Sequence, residues 1–306
     1  MTGAAPAKGA RAALTSPYLL LLLTMLFWSG NSVIARGLVD LVPPMHLSFW
    51  RWSVALLILL PFGWRPFWAE RAVYARHWRL VGGLALLSVA LFNSLLYLAL
   101  QTTTVIHVSL VTTAIPAVTV LIAWIALGET VRRRATFGMA AAFLGVVVII
   151  FKGDLAAVIA LDLNHGDLIT LAAVLCWSVY TVFLRRLPVK LDPVGFLFAI
   201  TALGTVLLVP LFAAEVLSGR TMAVSTGSLA GILYLAVFAS VLAFVFFNYG
   251  VAKLGANRAT QFNYLMPIFS VALAMIFLDE QFQVFHAVGI ALILAGVWMA
   301  ARKRAL

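Results

Sequence analysis

The sequence predicts an all-α integral membrane protein with ten transmembrane helices, arranged as two inverted repeats of five helices each. Three observations predict this class. Of 306 residues, 64% are hydrophobic and 10% are charged, and the mean hydropathy is +1.09, which excludes an ordinary soluble domain. Apolar stretches of about 20 residues recur along the chain, each long enough to cross roughly 30 Å of hydrocarbon as a helix. Finally, the second half of the chain repeats the first.

The repeat is visible as residues that recur at an offset of 149 positions early in each half and 151 positions later. The matched pairs are Trp28 and Trp177, Ser29 and Ser178, Pro44 and Pro193, Pro61 and Pro210, Pro116 and Pro267, Glu129 and Glu280, Gly138 and Gly289, and Gly145 and Gly296. Each half contains five hydrophobic segments. Because five is odd, the second copy must enter the membrane in the opposite orientation. Inverted repeats are typical of secondary transporters, which alternate access around a central site.

The hydrophobic segments define ten predicted spans, joined by short connections without an inserted soluble domain. The spans are 17–38, 44–63, 79–100, 104–127, 133–151, 166–187, 194–214, 228–252, 256–278 and 283–301. The first repeat therefore covers residues 17–152 and the second covers residues 166–302. Residues 1–16 are small and polar, and we expect them to form a disordered tail.

The net charge of +11 is explained by membrane topology rather than by nucleic-acid binding. All but four of the 21 Lys and Arg residues lie in segments that are cytoplasmic if the N-terminus is cytoplasmic; the four exceptions are Arg36, Arg51, Lys152 and Arg220. Seven of the ten acids, Asp167 among them, are assigned to the opposite side. This positive-inside bias predicts that both termini face the cytoplasm.

The fourth and ninth spans each carry a polar stripe that ends at a proline. The stripe residues lie at i, i+3, i+4 and i+7, which places them on one helix face; they are Ser109, Thr112, Thr113 and Pro116 in the fourth span, and Thr260, Asn263, Tyr264 and Pro267 in the ninth. Because polar groups in lipid are costly, we interpret the stripes as two facing walls of a central cavity. The alternative is hydrogen bonding between packed helices. The prolines could kink both spans and free a carbonyl for polar contacts.

Further aromatic and amide side chains are predicted to line the same cavity. They lie on the first, third, sixth and eighth spans, and are Trp28, Asn31, Asn93, Tyr97, Trp177, Tyr180 and Asn248. Aromatic rings with polar tips suit contact with an amphipathic solute. The alternative is that some of these rings belong to interfacial belts.

The ionisable residues narrow the mechanism. We expect no Asp or Glu within a hydrophobic span, and this weighs against a transporter built on a buried acidic proton relay. The candidates for intramembrane charge are all basic residues, namely Arg36, Arg51 and His107. Arg51 could bind a substrate carboxylate in a bidentate pair or serve as a structural donor, and His107 could be a proton-sensitive group or a packing residue.

Two further repeated features have structural interpretations. Glu129 and Glu280 each precede a predicted helix, where a carboxylate favours the helix dipole and the free amides. Gly138 and Gly145, with Gly289 and Gly296, allow close helix contact, either within the monomer or at a dimer seam.

Together, these residues resemble the drug/metabolite transporter superfamily, specifically its ten-helix EamA-type branch, over residues 17–302. The resemblance rests on the repeated Trp-Ser pair, on Pro116 and Pro267, and on the Leu-Gly-Glu and Leu-Asp-Glu segments followed by Gly138 and Gly289. Residues 44–52 are similar to bacterial aromatic amino acid exporters. The resemblance implies inverted pseudosymmetry, a central cavity lined by spans 1, 3, 4, 6, 8 and 9, and export of small metabolites or amino acids from a bacterial inner membrane.

The sequence hypothesis is therefore a secondary transporter that exports small amphipathic metabolites, above all aromatic and other neutral amino acids, by uniport or exchange. The alternatives are a proton-coupled multidrug exporter, a passive channel and an intramembrane enzyme, although the five histidines are scattered and no Gly-x-Ser-x-Gly motif is present. We expect no metal or cofactor, and a monomer or homodimer in the bilayer. The predicted substrate-binding residues are Trp28, Asn31, Arg51, Asn93, Tyr97, His107, Ser109, Thr112, Thr113, Trp177, Tyr180, Asn248, Thr260, Asn263 and Tyr264.

Overall fold

The computed structural model describes residues 16–128, 133–154, 164–187, 191–254, 259 and 262–301. Nearly all of the predicted tail 1–16 lies outside this part of the chain. The described residues form helices without any strand. The helices are α1 Pro17–Gly37, α2 Pro44–Ala69, α3 Arg71–Arg76, α4 Trp78–Ala99, α5 Val105–Thr112, α6 Ile115–Leu127, α7 Arg133–Ile150, α8 His165–Leu184, α9 Pro193–Leu217, α10 Thr226–Leu254, α11 Met266–Phe277 and α12 Val284–Ala301.

The helix lengths show a multi-pass membrane protein. Among the described residues, six helices are long and apolar enough to cross a bilayer, namely α1, α2, α4, α8, α9 and α10. The pair α5 and α6 forms a seventh span if the two are counted together across their bend of 41°. α7, α11 and α12 contain shorter apolar stretches. Each predicted span contains a described helix, but of the ninth span, 256–278, the structure describes only residue 259 and residues 262–278. The number of ten crossings stays a prediction.

Side chains and prolines set several helix starts. The first helical residues of α1, α2 and α9 are prolines. The N–H groups of a first helical turn have no partner within the helix, and proline has no N–H to leave unpaired. The Asn164 side chain accepts a hydrogen bond from Gly166 N at the start of α8. The Asp192 side chain accepts from Val194 N and Gly195 N at the start of α9, both at 2.9 Å. These caps fix where two spans of the second repeat begin.

The predicted proline kink of the fourth span is confirmed. The helix is interrupted between Thr112 and Ile115, directly before Pro116, because a proline inside a helix removes a hydrogen bond and clashes with the preceding turn. The hydroxyls of Thr112 and Thr113 donate to carbonyls of the last turn of α5, those of Ser109 and Leu110. The stripe thus supplies hydrogen bonds to its own broken helix.

Two π-helical segments were not predicted, and they occupy equivalent places in the repeats. Leu86–Phe92 lies within α4 and Leu235–Leu242 lies within α10. The starts of the two segments are separated by the same offset of 149 residues that relates Trp28 to Trp177. π segments are rare in α-helices, and those that occur often lie at functional sites. Their repetition therefore indicates that the third and eighth spans contribute to a functional site.

The helix contacts follow the repeat. The equivalent helices α2 and α9 pack against each other, as do α7 and α12. α1 packs against α10 and α11, and the equivalent helix α8 packs against α4 and α6. Each repeat is therefore completed by the other.

The repeated glycines hold α7 and α12 together within one chain. A Cβ built on Gly145 would lie 2.6 Å from the carbonyl oxygen of Gly289, and one on Gly296 would lie 2.3 Å from that of Gly138. Only glycine permits these backbone approaches. Of the two interpretations left open by the sequence, the structure selects contact within the monomer, and the same faces are not free to form a dimer seam.

We expect Gly296→Ala to destabilise the protein by about 1–3 kcal/mol, because the added methyl group overpacks a backbone contact. Gly82→Ala is the matched control, since nothing lies within 4 Å of a Cβ at Gly82, and it should be neutral or slightly stabilising in a helix. The midpoints of thermal unfolding in detergent measure both effects. Equal midpoints for the two variants would contradict the close α7–α12 contact.

The expected role of Glu280 at its own following helix is wrong. Its carboxylate oxygens instead accept hydrogen bonds from Val105 N at 2.8 Å and Ile106 N at 2.9 Å, at the start of α5 in the other repeat. The physical reasoning holds, because a carboxylate does stabilise free helix amides, but the helix is a distant one. Its counterpart Glu129 lies outside the described residues.

Two other carboxylates join the repeats at helix starts. Glu215 of α9 is buried and accepts from both His46 N and His46 Nδ1 of α2, each at 2.8 Å. Glu70, directly after α2, accepts from Asp192 N at the start of α9, at 3.0 Å. The α2–α9 pair is thus fastened by a carboxylate at each end.

Candidate functional site

The centre of the candidate site is Arg51, which is only 3% exposed in the first half of α2. Its Nη1 donates to Asn31 Oδ1 at 3.0 Å, to Asn93 Oδ1 at 2.7 Å and to the Tyr97 hydroxyl. Its Nε donates to Ser240 Oγ at 2.7 Å. α1, α2, α4 and α10 therefore converge on one guanidinium group, and they come from both repeats. We call these five residues the Arg51 network.

The π segments orient two acceptors toward this guanidinium. Asn93 directly follows the first π segment, and its Nδ2 donates to Ser88 O, five residues back, at 3.2 Å. Ser240 lies in the second segment, and its hydroxyl donates to Leu235 O, also five residues back, at 2.9 Å. The bond from Nδ2 fixes the orientation of the Asn93 amide, whose Oδ1 accepts from Arg51. The bond to Leu235 O uses the single hydroxyl hydrogen of Ser240, so its oxygen can only accept from Arg51.

The charge of Arg51 is solvated by neutral groups. Among the described residues it has no carboxylate partner, and the hydrogen bonds engage Nε and Nη1 but not Nη2. The Trp52 ring lies 4.7 Å from the guanidinium carbon and the Tyr97 ring 5.9 Å, at distances that permit cation–π attraction. A buried charge without a counterion is costly. The site therefore carries an uncompensated positive potential and an unused N–H edge, which suits a carboxylate.

Aromatic side chains predicted for the cavity form two separate groups. Trp28 is half-buried, donates from Nε1 to Ala239 O at 3.2 Å and packs near Phe244 and Phe247. Trp177 is also half-buried. Its ring centroid lies 4.6 Å from that of Phe92 and 5.0 Å from that of Tyr180. Phe92 immediately precedes Asn93, which accepts a hydrogen bond from Arg51. The ring group of Trp177 therefore lies beside the helix turn that contacts Arg51.

The serine of each Trp-Ser pair binds the other repeat near its matched proline. Ser29 Oγ donates to Met266 O at 2.9 Å, and Ser178 Oγ donates to Ile115 O at 3.3 Å. Each accepting carbonyl belongs to the residue that precedes Pro267 or Pro116. The two most recognisable repeated motifs thus meet in space, and their serines hold helices together rather than face a solute.

The polar stripe of the fourth span is partly placed. Ser109 is buried, and its hydroxyl has no hydrogen-bond partner among the described residues. Thr112 and Thr113 are half-buried, and their hydroxyls are used by α5. An unpaired buried hydroxyl costs free energy unless something binds it, so Ser109 remains a candidate ligand.

The facing stripe lies largely beyond what the structure describes. Thr260 is outside the described residues, as is the side chain of Tyr264, while Asn263 is exposed in the short 3₁₀ turn Phe262–Leu265. Asn248, on the eighth span, is half-buried in α10. The proposal of two facing cavity walls therefore stays a prediction.

His107 belongs to a second buried polar group, at the ends of α5 and α8. Its Nδ1 lies 3.2 Å from Asp167 Oδ2, and Thr103 Oγ1 donates to Asp167 Oδ1 at 2.6 Å. The His286 ring of α12 lies 5.1 Å from the His107 ring, between centroids. The structure gives this group no contact with the Arg51 network.

The expectation that no Asp or Glu lies within a span is wrong. Asp167 is in the first turn of α8 and is 0% exposed. A carboxylate there is stabilised by the helix N-terminus and by the His107 and Thr103 donors. Hydropathy alone placed Asp167 at the edge of its span and could not show that α5 covers it.

Of the predicted site residues, Asn31, Arg51, Asn93 and Tyr97 are brought together. Trp28, Trp177, Tyr180 and His107 make other contacts, and the Ser109 hydroxyl has no partner among the described residues. Sequence reasoning missed Ser240, which binds Arg51 directly. The predicted polar faces follow steps of three and four residues, whereas Ser240 lies in a π segment, whose hydrogen bonds step by five. No signal of ordinary helical spacing could have selected it.

Comparison with known proteins agrees with the fold and the repeat. The model of the EamA-like transporter family matches twice, at residues 15–151 and 164–302. An uncharacterized transporter of Archaeoglobus fulgidus is 30% identical over 94% of this chain and 98% of its own length. The uncharacterized transporter YyaM of Bacillus subtilis is 25% identical over 92% of each chain.

Two further comparisons are more distant. A probable terminal-alkyne amino-acid exporter of Streptantibioticus cattleyicolor is 30% identical over 64% of this chain and 63% of its own length. A solved crystal structure matches at 20% identity with a TM-score of 0.60, over 94% of this chain and 96% of that chain. At this identity, the likeness to the solved structure shows the fold alone.

Proposed function

The chain belongs to the EamA-like transporter family, and on this premise we propose that it exports small amphipathic amino acids, aromatic and other neutral ones. The family and its relatives are transporters rather than enzymes. The proposed cellular location is the bacterial inner membrane, with both termini in the cytoplasm. The protein is proposed to act as a monomer or homodimer. Transport proceeds by alternating access, in which the two repeats rock around the bound substrate.

The observation that carries this proposal is the charge of Arg51. A buried guanidinium with neutral ligands and a free Nη2 edge can pair with a carboxylate, the group that all amino acids share. The pairing would neutralise a charge that has no carboxylate partner among the described residues. A lipophilic cation would instead be repelled by this site, which disfavours a broad multidrug substrate range.

The aromatic groups support the side-chain half of the substrate. Trp177, Phe92 and Tyr180 form a contiguous ring cluster beside the α4 turn that carries Asn93. Such rings bind apolar and aromatic side chains by burial and by offset contacts. The name of the Streptantibioticus relative, a probable exporter of an amino acid, is consistent with this class.

The proposed energetics are uniport or exchange, because the Arg51 network contains no carboxylate that could release a proton as substrate binds. A second candidate is proton-coupled export. It is favoured by one observation, the buried His107–Asp167 pair, since titratable groups buried within membrane spans are typical of proton relays.

The deciding experiment is counterflow in proteoliposomes that contain the full chain. Vesicles preloaded with an unlabelled neutral aromatic amino acid should take up the labelled compound transiently and saturably, as a carrier requires. Uptake that rises linearly with concentration would indicate a channel, and the absence of uptake with every neutral amino acid would contradict the proposed substrate class.

A second arm of the same experiment tests coupling. With equal substrate on both sides, an imposed pH gradient should drive no accumulation if transport is uniport or exchange. Accumulation would instead establish the second candidate, and its loss in Asp167→Asn but not in Glu215→Gln would assign the proton to the His107–Asp167 pair. Glu215 is the matched control because it is also a buried acid paired with a histidine.

A further inference from the structure

We propose that residues 64–79, here called the Trp–Arg segment, form a binding site for the headgroups of anionic phospholipids. The segment comprises the last turns of α2, the short helix α3 and the first residues of α4. The positive-inside bias assigns it to the cytoplasmic face. The inference is independent of which solute the protein carries.

The segment combines exposed cations with exposed tryptophans. Its four arginines, Arg65, Arg71, Arg76 and Arg79, are all exposed, and none forms an ion pair among the described residues. Trp64, Trp68 and Trp78 are 46%, 51% and 64% exposed. Both residue types are expensive to leave without a partner at the end of two membrane helices, and a lipid headgroup region satisfies both.

The side chains are arranged as a surface rather than scattered. The Trp64 and Trp68 rings stack at 5.2 Å. Arg71 lies over the Trp68 ring, with its guanidinium carbon 5.1 Å from the ring centroid, and its Nη1 donates to Trp68 O at 2.9 Å. Arg79 lies 5.4 Å above the Trp78 ring. Such pairs hold a guanidinium beside an aromatic plane while leaving other N–H groups for a phosphate.

The other face of the segment is anchored to the protein. Tyr74 of α3 is buried, its ring centroid lies 5.0 Å from that of Phe67, and its hydroxyl donates to Glu70 Oε2 at 3.3 Å. Burial, with the neighbouring Glu70 carboxylate, raises the pKa of Tyr74, so its hydroxyl stays a neutral donor. Glu70, the only acid of the segment, is half-buried and also accepts from Asp192 N, and among the described residues it forms no ion pair with the four arginines.

The tryptophans select a lipid over a soluble polyanion. A free phosphate or a nucleic acid would engage the arginines and leave the three indole rings in water. A phospholipid in the adjoining leaflet provides a phosphate at the depth of the guanidinium groups and glycerol and acyl carbons for the rings. Charge complementarity then favours an anionic headgroup such as phosphatidylglycerol over a zwitterionic one.

The test measures lipid selectivity by tryptophan fluorescence in reconstituted vesicles of phosphatidylcholine. Brominated phosphatidylglycerol should quench the protein more strongly than the same fraction of brominated phosphatidylcholine, and the difference should shrink at high salt. In a Trp64→Phe/Trp68→Phe/Trp78→Phe variant the difference should largely vanish, which locates it to this segment.

Arg71→Gln/Arg76→Gln should lower the affinity for phosphatidylglycerol relative to phosphatidylcholine by up to roughly 30-fold. Each cation at a membrane surface contributes about fivefold, and two are removed. Lys152→Gln/Arg220→Gln is the matched control, because it removes two exposed cations assigned to the opposite face and should keep the selectivity. Equal quenching by both lipids in the unaltered protein, or unchanged selectivity in Arg71→Gln/Arg76→Gln, would overturn the proposal. Gel filtration of each variant confirms that it remains folded.

Discussion

Arg51→Gln is expected to lower the affinity for an amino acid by about 100-fold, equivalent to about 3 kcal/mol. The substitution removes the charge and the free N–H edge that the proposed carboxylate would meet. Arg51→Lys keeps the charge but loses the planar fork, so it should restore only part of the affinity. The measurement is counterflow in proteoliposomes as a function of substrate concentration.

A structural role for Arg51 would produce a different pattern, and two controls separate them. Arg36→Gln changes another intramembrane arginine, one that donates to the carbonyl of Leu100, and should leave affinity unchanged. The second control is the amine analogue that lacks the substrate carboxylate. If Arg51 binds the carboxylate, the preference for the acid over the amine should collapse in Arg51→Gln. An unchanged preference would exclude that contact.

Asp167→Asn is expected to lower the free energy of unfolding by about 3 kcal/mol, because it removes the charge of a buried pair that both His107 and Thr103 satisfy. The midpoint of thermal unfolding in detergent reports the change. His107→Leu combined with Asp167→Asn should cost less than the sum of the single changes, since removing both partners leaves no buried charge unpaired.

Asp40→Asn is the control for this series, because Asp40 is exposed between α1 and α2, and surface substitutions of this kind change stability by less than about 0.5 kcal/mol. Strictly additive effects of the His107 and Asp167 substitutions would contradict a direct interaction between the two side chains.

The sequence predicted those features of the site that depend on ordinary helical spacing. Asn93 and Tyr97 are four residues apart, so their common face could be inferred before their shared contact with Arg51 was seen. Whether Arg51 was functional or structural could not be decided from the chain, because its exposure and its missing counterion are properties of packing. Hydropathy likewise located the six long helices and the bent pair α5–α6 among the described residues, since burial in lipid requires long apolar runs whatever the helix contacts are.

Two of the features that escaped prediction share a cause, which is a partner distant in sequence. Glu280 was assigned to its nearest helix, whereas it binds amides of α5 in the other repeat. Asp167 was placed at the outer edge of its span and not in the core, because its burial depends on Thr103 and His107, on other parts of the chain. Ser240 was hidden by local geometry, since a π segment changes which residues share a face.

The bonds between repeats have a consequence for synthesis. Three hydrogen bonds join a residue made early to a partner made later: Ser29 to Met266, Val105 to Glu280, and Ile115 to Ser178. When only the first half has been synthesised, the amides at the start of α5 lack their carboxylate and the Ser29 hydroxyl lacks its acceptor. Neither half offers a finished intermediate at which biogenesis could stop. We therefore expect the two halves to fold as one cooperative unit. If the chain were cut between the halves, the two fragments could fold only by associating in the same bilayer.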